Sequence, residues 1–366
     1  MNLFNSSFLR PVLLALVLGS AARPAVAQDV SSLPVYKPEQ EATGLMRSWG
    51  NPAMGHLMKL WEAGFQKYHP DLQFYDHLKG TSTASSGLSQ CVADLALMGR
   101  QIYVFENYST YRRSLIVPIE VEVATGALNV PRKSSALTVF VNKDNPLAHL
   151  TVKQLDGIFG AQRDGGWDDM RWDRTAARGA DENIRTWGQL GLTGEWADKP
   201  IHPFGPPNQY PGGCSFFQKR VLHGSDTCAE GLMEFADPTA MIEALAKDPY
   251  AIAYTGINYG TASTKVIAIA DKEGGDYVLP TRATVSDRTY PLARSVYIYF
   301  APDTPGGQPN EKPDPKIREF LRYILSKQGQ QDVITEGDYL PLTAEQVAYY
   351  RKKIDETPKP DAKPHY

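Results

Sequence analysis

The residue types best suited to chemistry are concentrated in one short segment, residues 80–88, which reads GTSTASSGL. Hydroxyl side chains stand at Thr81, Ser82, Thr83, Ser85 and Ser86. At the start of a helix, such hydroxyls combine with unpaired backbone N–H groups and the positive end of the helix dipole to bind an oxyanion. Serine and threonine are also ordinary helix caps. The segment therefore predicts either an anion site or a capped helix.

Catalytic motifs are missing from the rest of the sequence. The chain contains no H-E-x-x-H, no G-x-S-x-G and no Walker loop after a strand, and its 7 histidines are scattered rather than paired at ligand spacing. We therefore expect no enzyme activity, no metal site and no cofactor.

Hydrophobic periodicity predicts the elements that must position this segment. Met54, Leu57, Met58, Trp61 and Phe65 share one face of a helix that would end near residues 68–70. Strands are predicted at 72–78, 136–142 and 290–301, and Thr151 is a good N-cap for a helix that follows it. This alternation of helices and strands is typical of an α/β protein with mostly parallel sheets.

The segments outside these elements have different compositions. Residues 28–41 are polar and contain proline, which predicts an extended lead-in, and residues 165–180 are rich in Gly, Asp and Arg, which predicts a surface loop. Residues 356–366 are charged and proline-rich, which predicts a disordered tail.

The N-terminus has the pattern of a signal peptide. Residues 1–10 carry one positive charge, residues 11–21 are apolar, and Ala25 and Ala27 provide the small residues of a cleavage site after residue 27. The apolar stretch is too short to span a bilayer, and no cysteine follows it that would accept a lipid. We therefore expect an exported protein that does not insert into a membrane.

The net charge of the chain is too small and of the wrong sign to attract polyanions by bulk electrostatics. The chain has 38 Lys plus Arg against 41 Asp plus Glu, a net charge of -3. Removing Arg10 and Arg23 with the signal peptide leaves 36 basic residues against 41 acidic ones, or -5. No attraction to nucleic acid is expected, and any anion site must be local.

Export also bears on the 3 cysteines. An oxidising compartment allows a disulfide, and Cys214 and Cys228 are close enough in sequence to close a small loop, which leaves Cys91 over. Three unpaired or buried cysteines are the alternative.

Eight segments together carry a resemblance to a known family. Their sequences, in chain order, are GNPAMGHLMKLWEAGFQKYHP, GTSTASSGL, ADLALMGR, ALTVFVNKDNPLAHLTVKQLDGIFG, TWGQLGLTGEW, AIAYTGINYG, YPLARSVYIYF and REFLRYILSKQGQQDVITEGDYLPL. Over residues 42–350 the chain resembles the phosphate-binding, substrate-binding proteins of bacterial phosphate ABC transporters, the PstS-like branch of the two-lobed periplasmic binding proteins.

The resemblance implies a fold and a function. The fold is a type II periplasmic-binding-protein (Venus flytrap) fold, with a mixed, mostly parallel sheet in each lobe. The first lobe comprises residues 42–133 plus 286–350 and the second residues 134–285. The function is capture of phosphate or a related small oxyanion by lobe closure in the periplasm, by a monomer that presents it to an ABC transporter permease. The alternative is a decayed site in an envelope sensor, adaptor or receptor partner.

The resemblance places four ligand loops at the cleft, and three of them differ from the family. Loop one has Asn51 where serine or threonine is usual, loop three has Met98-Gly99-Arg100 where a serine and an aspartate are usual, and loop four, residues 206–214, lacks the usual Arg and Ser-Gly-Thr. Loop two matches. The ligand residues implied are therefore the hydroxyls of loop two, followed by single residues of the other loops: Thr81, Ser82, Thr83, Asn51, Arg100, Gly212 and Gly213.

Overall fold

A computed structural model describes residues 30–114, 117–130, 133–168, 170–207, 213–301 and 314–356, with the backbone alone at 113, 114, 213 and 214. The predicted signal peptide and residues 357–366 of the predicted tail lie outside these ranges, so both stay predictions. Within the described residues, no helix combines the length and hydrophobicity needed to cross a bilayer.

The described residues form strands and helices that alternate along most of the chain. The strands are β1 (Gly44–Gly50), β2 (Leu72–His77), β3 (Leu95–Met98), β4 (Ile119–Thr125), β5 (Leu137–Asn142), β6 (His149–Thr151), β7 (Gly166–Asp168), β8 (Arg171–Asp173), β9 (His202–Gly205), β10 (Met233–Glu234), β11 (Ala251–Gly256), β12 (Thr264–Val266), β13 (Ala268–Ala270) and β14 (Ser295–Phe300). The helices are α1 (Gly55–Phe65), α2 (Thr81–Ser89), α3 (Val104–Ser114), α4 (Val152–Phe159), α5 (Gly213–Arg220), α6 (Pro238–Leu245), α7 (Arg282–Ser286), α8 (Pro315–Ile324), α9 (Lys327–Glu336) and α10 (Ala344–Asp355).

Two five-stranded sheets organise the fold, one in each lobe. The first has the order β2-β1-β3-β14-β4 and the second the order β10-β9-β11-β5-β12. In each sheet two neighbouring pairs are parallel and two are antiparallel. The predicted two-lobed α/β fold with mixed sheets is confirmed, and parallel pairs make up half of the pairings in each sheet.

Each sheet has its own hydrophobic core. The first core collects the buried face of α1 and that of α8, including Trp61 and Phe320. The second is built around Phe159, Trp187 and Phe217. The residue numbers at which one lobe gives way to the other remain a prediction.

Two segments of chain connect the lobes, and their described residues are hydrogen-bonded to each other. Residues 126–130 and 133–136 lie between β4 and β5, and residues 290–294 lead back to β14. The Gly126 N–H donates to the Arg294 carbonyl at 2.8 Å, and the Leu137 N–H donates to the Leu292 carbonyl at 3.1 Å. A paired connection of this kind lets the lobes rotate about a shared hinge.

Local signals account for most of the helix starts. Thr151 forms the predicted cap of α4, in a capping box with Gln154. The five apolar residues predicted to share one face of the first helix are all buried, but α1 ends at Phe65, before the predicted 68–70.

Val30, Leu33 and Tyr36 of the lead-in are buried in the first core, which its polar composition does not predict. Two sequence expectations are corrected by the fold. Residues 165–180 are not only a loop, because β7 and β8 pair there as an antiparallel hairpin. The last predicted strand, 290–301, shortens to β14 because residues 290–294 form the connection between lobes.

Candidate functional site

A cavity of about 550 Å³ lies between the two lobes. The first lobe contributes Asn51, Thr81 and Ser82, and the second contributes Thr255 and Asn258. The connecting segments contribute Lys133, Ser134, Ser135 and Arg294. The cleft is thus lined with hydrogen-bond donors from both lobes and from the hinge.

Loop one is held against β3 by close backbone packing. Gly50 has φ 141°, and a Cβ there would lie 2.1 Å from the Leu97 carbonyl oxygen, so the position requires glycine. The next residue, Asn51, accepts the Ala53 N–H through Oδ1 at 2.9 Å. Its amide Nδ2 makes no hydrogen bond with a described residue and is available to a ligand in the cavity.

Loop two forms the N-terminus of α2, as the sequence predicts. Gly80 precedes the helix with φ 136° and provides no side-chain cap. The Thr83 N–H donates to the Gly80 carbonyl at 3.0 Å, and the N–H groups of Thr81 and Ser82 have no intrahelical acceptor. Thr81 and Ser82 line the cavity, and neither hydroxyl is hydrogen-bonded to another described residue. These two residues present hydroxyl and backbone donors together.

The other hydroxyls of loop two are used within the protein. Thr83 Oγ1 donates to the Gly80 carbonyl at 2.8 Å, and Thr83 is not among the described residues that line the cavity. Ser85 Oγ donates to Glu106 at 3.1 Å. The resemblance implies Thr83 as a ligand residue, but its hydroxyl hydrogen is already bonded inside the protein.

Loop three brings Arg100 to the cavity, but its charge is already paired. Nη1 and Nη2 of Arg100 donate to Glu106 at 2.8 and 2.9 Å, and its guanidinium lies 3.8 Å from the centre of the Tyr103 ring. Both members of this ion pair are buried. The Arg100 guanidinium therefore joins loop three to Glu106 of α3, and its role as a ligand stays a prediction.

Lys133, another cation at the cavity, is paired as well. Its Nζ lies 2.6 Å from Glu336 Oε1 and 3.4 Å from Asp338 Oδ2. It also donates to the Ala53 carbonyl at 2.9 Å, which ties the connecting segment to loop one.

Arg294 is a cavity residue that sequence reasoning missed. It is 7% exposed, and its guanidinium donates to the Gly99 carbonyl at 2.8 Å and to the Ser135 carbonyl at 3.4 Å. Burial lowers the pKa of Arg294 to about 10. The signal was present in YPLARSVYIYF, where a single charged residue stands directly before a strand whose side chains are all buried.

Gly99 contacts Arg294, Ser134 and Asn51. Its carbonyl accepts from Ser134 Oγ at 2.8 Å and from Arg294. A Cβ at Gly99 would lie 2.4 Å from Asn51 Nδ2 and 2.5 Å from Ser134 Oγ, so glycine is needed for this close approach.

Loop four is described only at its two ends. Pro206 lines the cavity and Gly213 begins α5, whereas Gly212 lies outside the described residues. The side chain of Cys214 is also outside them, so the Cys214–Cys228 disulfide stays a prediction. Cys91 is exposed.

The electrostatics of the cavity favour an anion. Among the described residues that line it, the charged ones are Arg100, Lys133 and Arg294, all of them basic. Met54 is buried in the first core rather than in the cleft, so it does not fill the cavity. The alternative of a decayed site predicts a cleft filled by Met54 together with Tyr210 and Pro211 of loop four. These last two residues lie outside the described ranges.

Solved structures of known proteins share the fold. An ABC-type phosphate transport receptor from Vibrio cholerae aligns with a TM-score of 0.50 at 19% identity, covering 81% of this chain and 99% of that one. PstS from Borrelia burgdorferi aligns with a TM-score of 0.51 at 16% identity, covering 82% and 99%. At these identities the likeness shows the fold alone.

Sequence comparison goes further than the fold. A family model described as a PBP superfamily domain matches residues 37–328. The phosphate-binding protein PstS of Pseudomonas aeruginosa is 32% identical over 326 residues, which cover 89% of this chain and 92% of that protein. The phosphate-binding protein PstS of a Staphylococcus aureus strain is 27% identical over 227 residues, 60% of this chain and 57% of that protein. The chain belongs to the PBP superfamily and, within it, to the family of the phosphate-binding proteins PstS.

Proposed function

We propose that the protein binds phosphate, or a small oxyanion of the same shape, between its two lobes in the periplasm and presents it to an ABC transporter permease. The observation that carries this proposal is the cavity itself, where unpaired donors of Asn51, Thr81 and Ser82 face basic residues and the opposite lobe. Membership in the PstS family supports the same ligand class.

The proposed mechanism is closure and not catalysis. Donors from the first lobe and the hinge bind the anion first, and contacts to Thr255 and Asn258 of the second lobe then stabilise the closed state. The lobes that close are residues 42–133 with 286–350, and residues 134–285. The permease recognises the closed shape of a monomer.

Neutral donors suit this task because a buried oxyanion must exchange its water for hydrogen bonds of the protein. Backbone N–H groups at a helix N-terminus and hydroxyl groups supply those bonds without a large desolvation cost. A buried cation adds a charge-assisted hydrogen bond of about 1.5–3 kcal/mol.

Isothermal titration calorimetry tests the proposal. The mature protein, stripped of anions by unfolding and refolding on a column, is titrated with phosphate, arsenate, sulfate and an organophosphate, with sodium chloride of matched ionic strength as the control. We expect saturable binding of one anion per chain and a rise in melting temperature with phosphate. Absence of both heat and thermal shift with all four anions would overturn the proposed function.

A further inference from the structure

Three of the described residues that line the cavity carry a positive charge, and they differ in which carboxylates neutralise that charge. Arg100 is paired with Glu106, and Lys133 is paired with Glu336 and Asp338. Each of these two charges is thus already matched before any ligand arrives.

Arg294 differs from both. No described carboxylate lies within the 4.0 Å ion-pair distance of its guanidinium. Its described hydrogen-bond acceptors are the carbonyls of Gly99 and Ser135. These carbonyls hold the guanidinium in place but leave its charge without a counter-ion among the described residues.

The position of Arg294 is central to the cleft. Gly99 belongs to loop three of the first lobe, and Ser135 belongs to the connection between lobes. On the other side, the guanidinium carbon lies 5.8 Å from the ring centre of Phe216 in α5 of the second lobe. Arg294 therefore sits where the two lobes and the hinge come together.

A buried cation without a counter-ion raises the free energy of the empty protein. The pKa of Arg294, lowered by burial to about 10, still leaves the side chain protonated at neutral pH. An anion in the cavity would neutralise this charge. Binding would therefore remove the free-energy cost of the unneutralised guanidinium, which increases the affinity for the anion.

We propose that Arg294 is the charged ligand of the bound anion. The Gly99 and Ser135 carbonyls orient its guanidinium, while Arg100 and Lys133 serve the structure of the loops. The inference rests on the proposed anion-binding function, because it assigns a residue to that same site.

Two variants separate charge from hydrogen bonding. Arg294→Lys keeps a cation, and Arg294→Gln keeps donor groups without charge. We expect phosphate to bind Arg294→Gln at least tenfold more weakly than the parent, and on the order of a hundredfold, with Arg294→Lys in between. Arg171→Gln is the control, since it removes an exposed arginine from β8, outside the described cavity lining. It should bind as the parent does.

The outcomes keep the two proposals apart. A parent that binds no oxyanion overturns the proposed function and this inference with it. A parent that binds phosphate, together with equal affinities of the Gln and Lys variants or undiminished binding by Arg294→Gln, overturns the inference alone. If Arg294→Gln does not fold, the guanidinium ¹⁵N resonance of Arg294 in the parent decides: we expect it to shift on saturation with phosphate, and an unchanged resonance overturns the inference.

Discussion

At the scale of single residues, the loop-two hydroxyls divide into two groups by their partners. Thr81 and Ser82 face the cavity, whereas Thr83 and Ser85 are hydrogen-bonded inside the protein. The sequence could predict that hydroxyls gather at a helix N-terminus, but the direction of each side chain depends on its position in the helical turn.

The double variant Thr81→Ala/Ser82→Ala tests this division. It removes two hydroxyl donors and leaves the backbone N–H groups, so we expect phosphate affinity to fall about tenfold or more, at roughly 1 kcal/mol for each donor. Folding should not suffer, because alanine is a good helix former. Calorimetric titration measures the affinity.

Ser86→Ala serves as the control for that variant. Ser86 lies on the same helix but is exposed, and its hydroxyl lies 3.4 Å from the Ser82 carbonyl oxygen. Parent-like affinity is expected for it. Parent-like affinity of the double variant would instead show that the anion does not bind at the start of α2.

Residue type alone also failed to separate the arginines. The resemblance points to Arg100 because it stands in a ligand loop, yet Glu106, six positions on, neutralises it. Nothing in the sequence connects Arg294 with Gly99, which lies 195 residues away and accepts its hydrogen bond. Pairings over such sequence separations follow from the return of the chain through the hinge, which periodicity does not reveal.

At the scale of elements, local signals predicted what local forces determine. The cap at Thr151 and the apolar face of α1 both depend on neighbours within a few turns, and both are confirmed. The hairpin of β7 and β8 and the burial of the lead-in were missed. Tyr36 explains the latter, since its hydroxyl reaches Glu319 at 2.8 Å and His69 at 2.7 Å. Neither contact is visible in a polar, proline-containing stretch of sequence.

A cluster of charged residues between α1 and β2 makes the free energy of unfolding depend on pH. Lys59 Nζ lies 2.7 Å from Glu62 and 2.8 Å from Asp76. Burial, and then the neighbouring Asp76, raise the pKa of Glu62 to about 7 from its ordinary 4.5. The Glu62 carboxyl group therefore binds its proton more tightly in the folded state than in the unfolded state. This difference stabilises the fold fully below pH 4.5, and the stabilisation is lost as the pH rises through 7.

We therefore expect Glu62→Gln to be more stable than the parent at pH 8, by about 1–2 kcal/mol, and to lose this advantage at pH 4. Urea unfolding at both pH values measures the difference. Asp71→Asn is the control, because it removes the same charge from an exposed position between α1 and β2. An equal advantage of Glu62→Gln at both pH values would contradict the explanation.

At the scale of the whole molecule, the site exists only where both lobes meet. Asn51, Thr81 and Ser82 come from one lobe, Thr255 and Asn258 from the other, and Arg294 from the hinge between them. The net charge of the chain is -3, so the proposed binding of an anion must depend on this local arrangement and not on the charge of the protein as a whole. Burial between the lobes strengthens each of these interactions by excluding water.

The most direct test of this account is the anomalous diffraction of arsenic in crystals of the protein grown with arsenate. We expect one arsenic peak in the cavity between the lobes, with arsenate oxygens about 2.7–3.2 Å from the Ser82 backbone nitrogen and from the Arg294 guanidinium. A peak elsewhere, or an empty cavity at an arsenate concentration that saturates the protein in solution, would contradict the account.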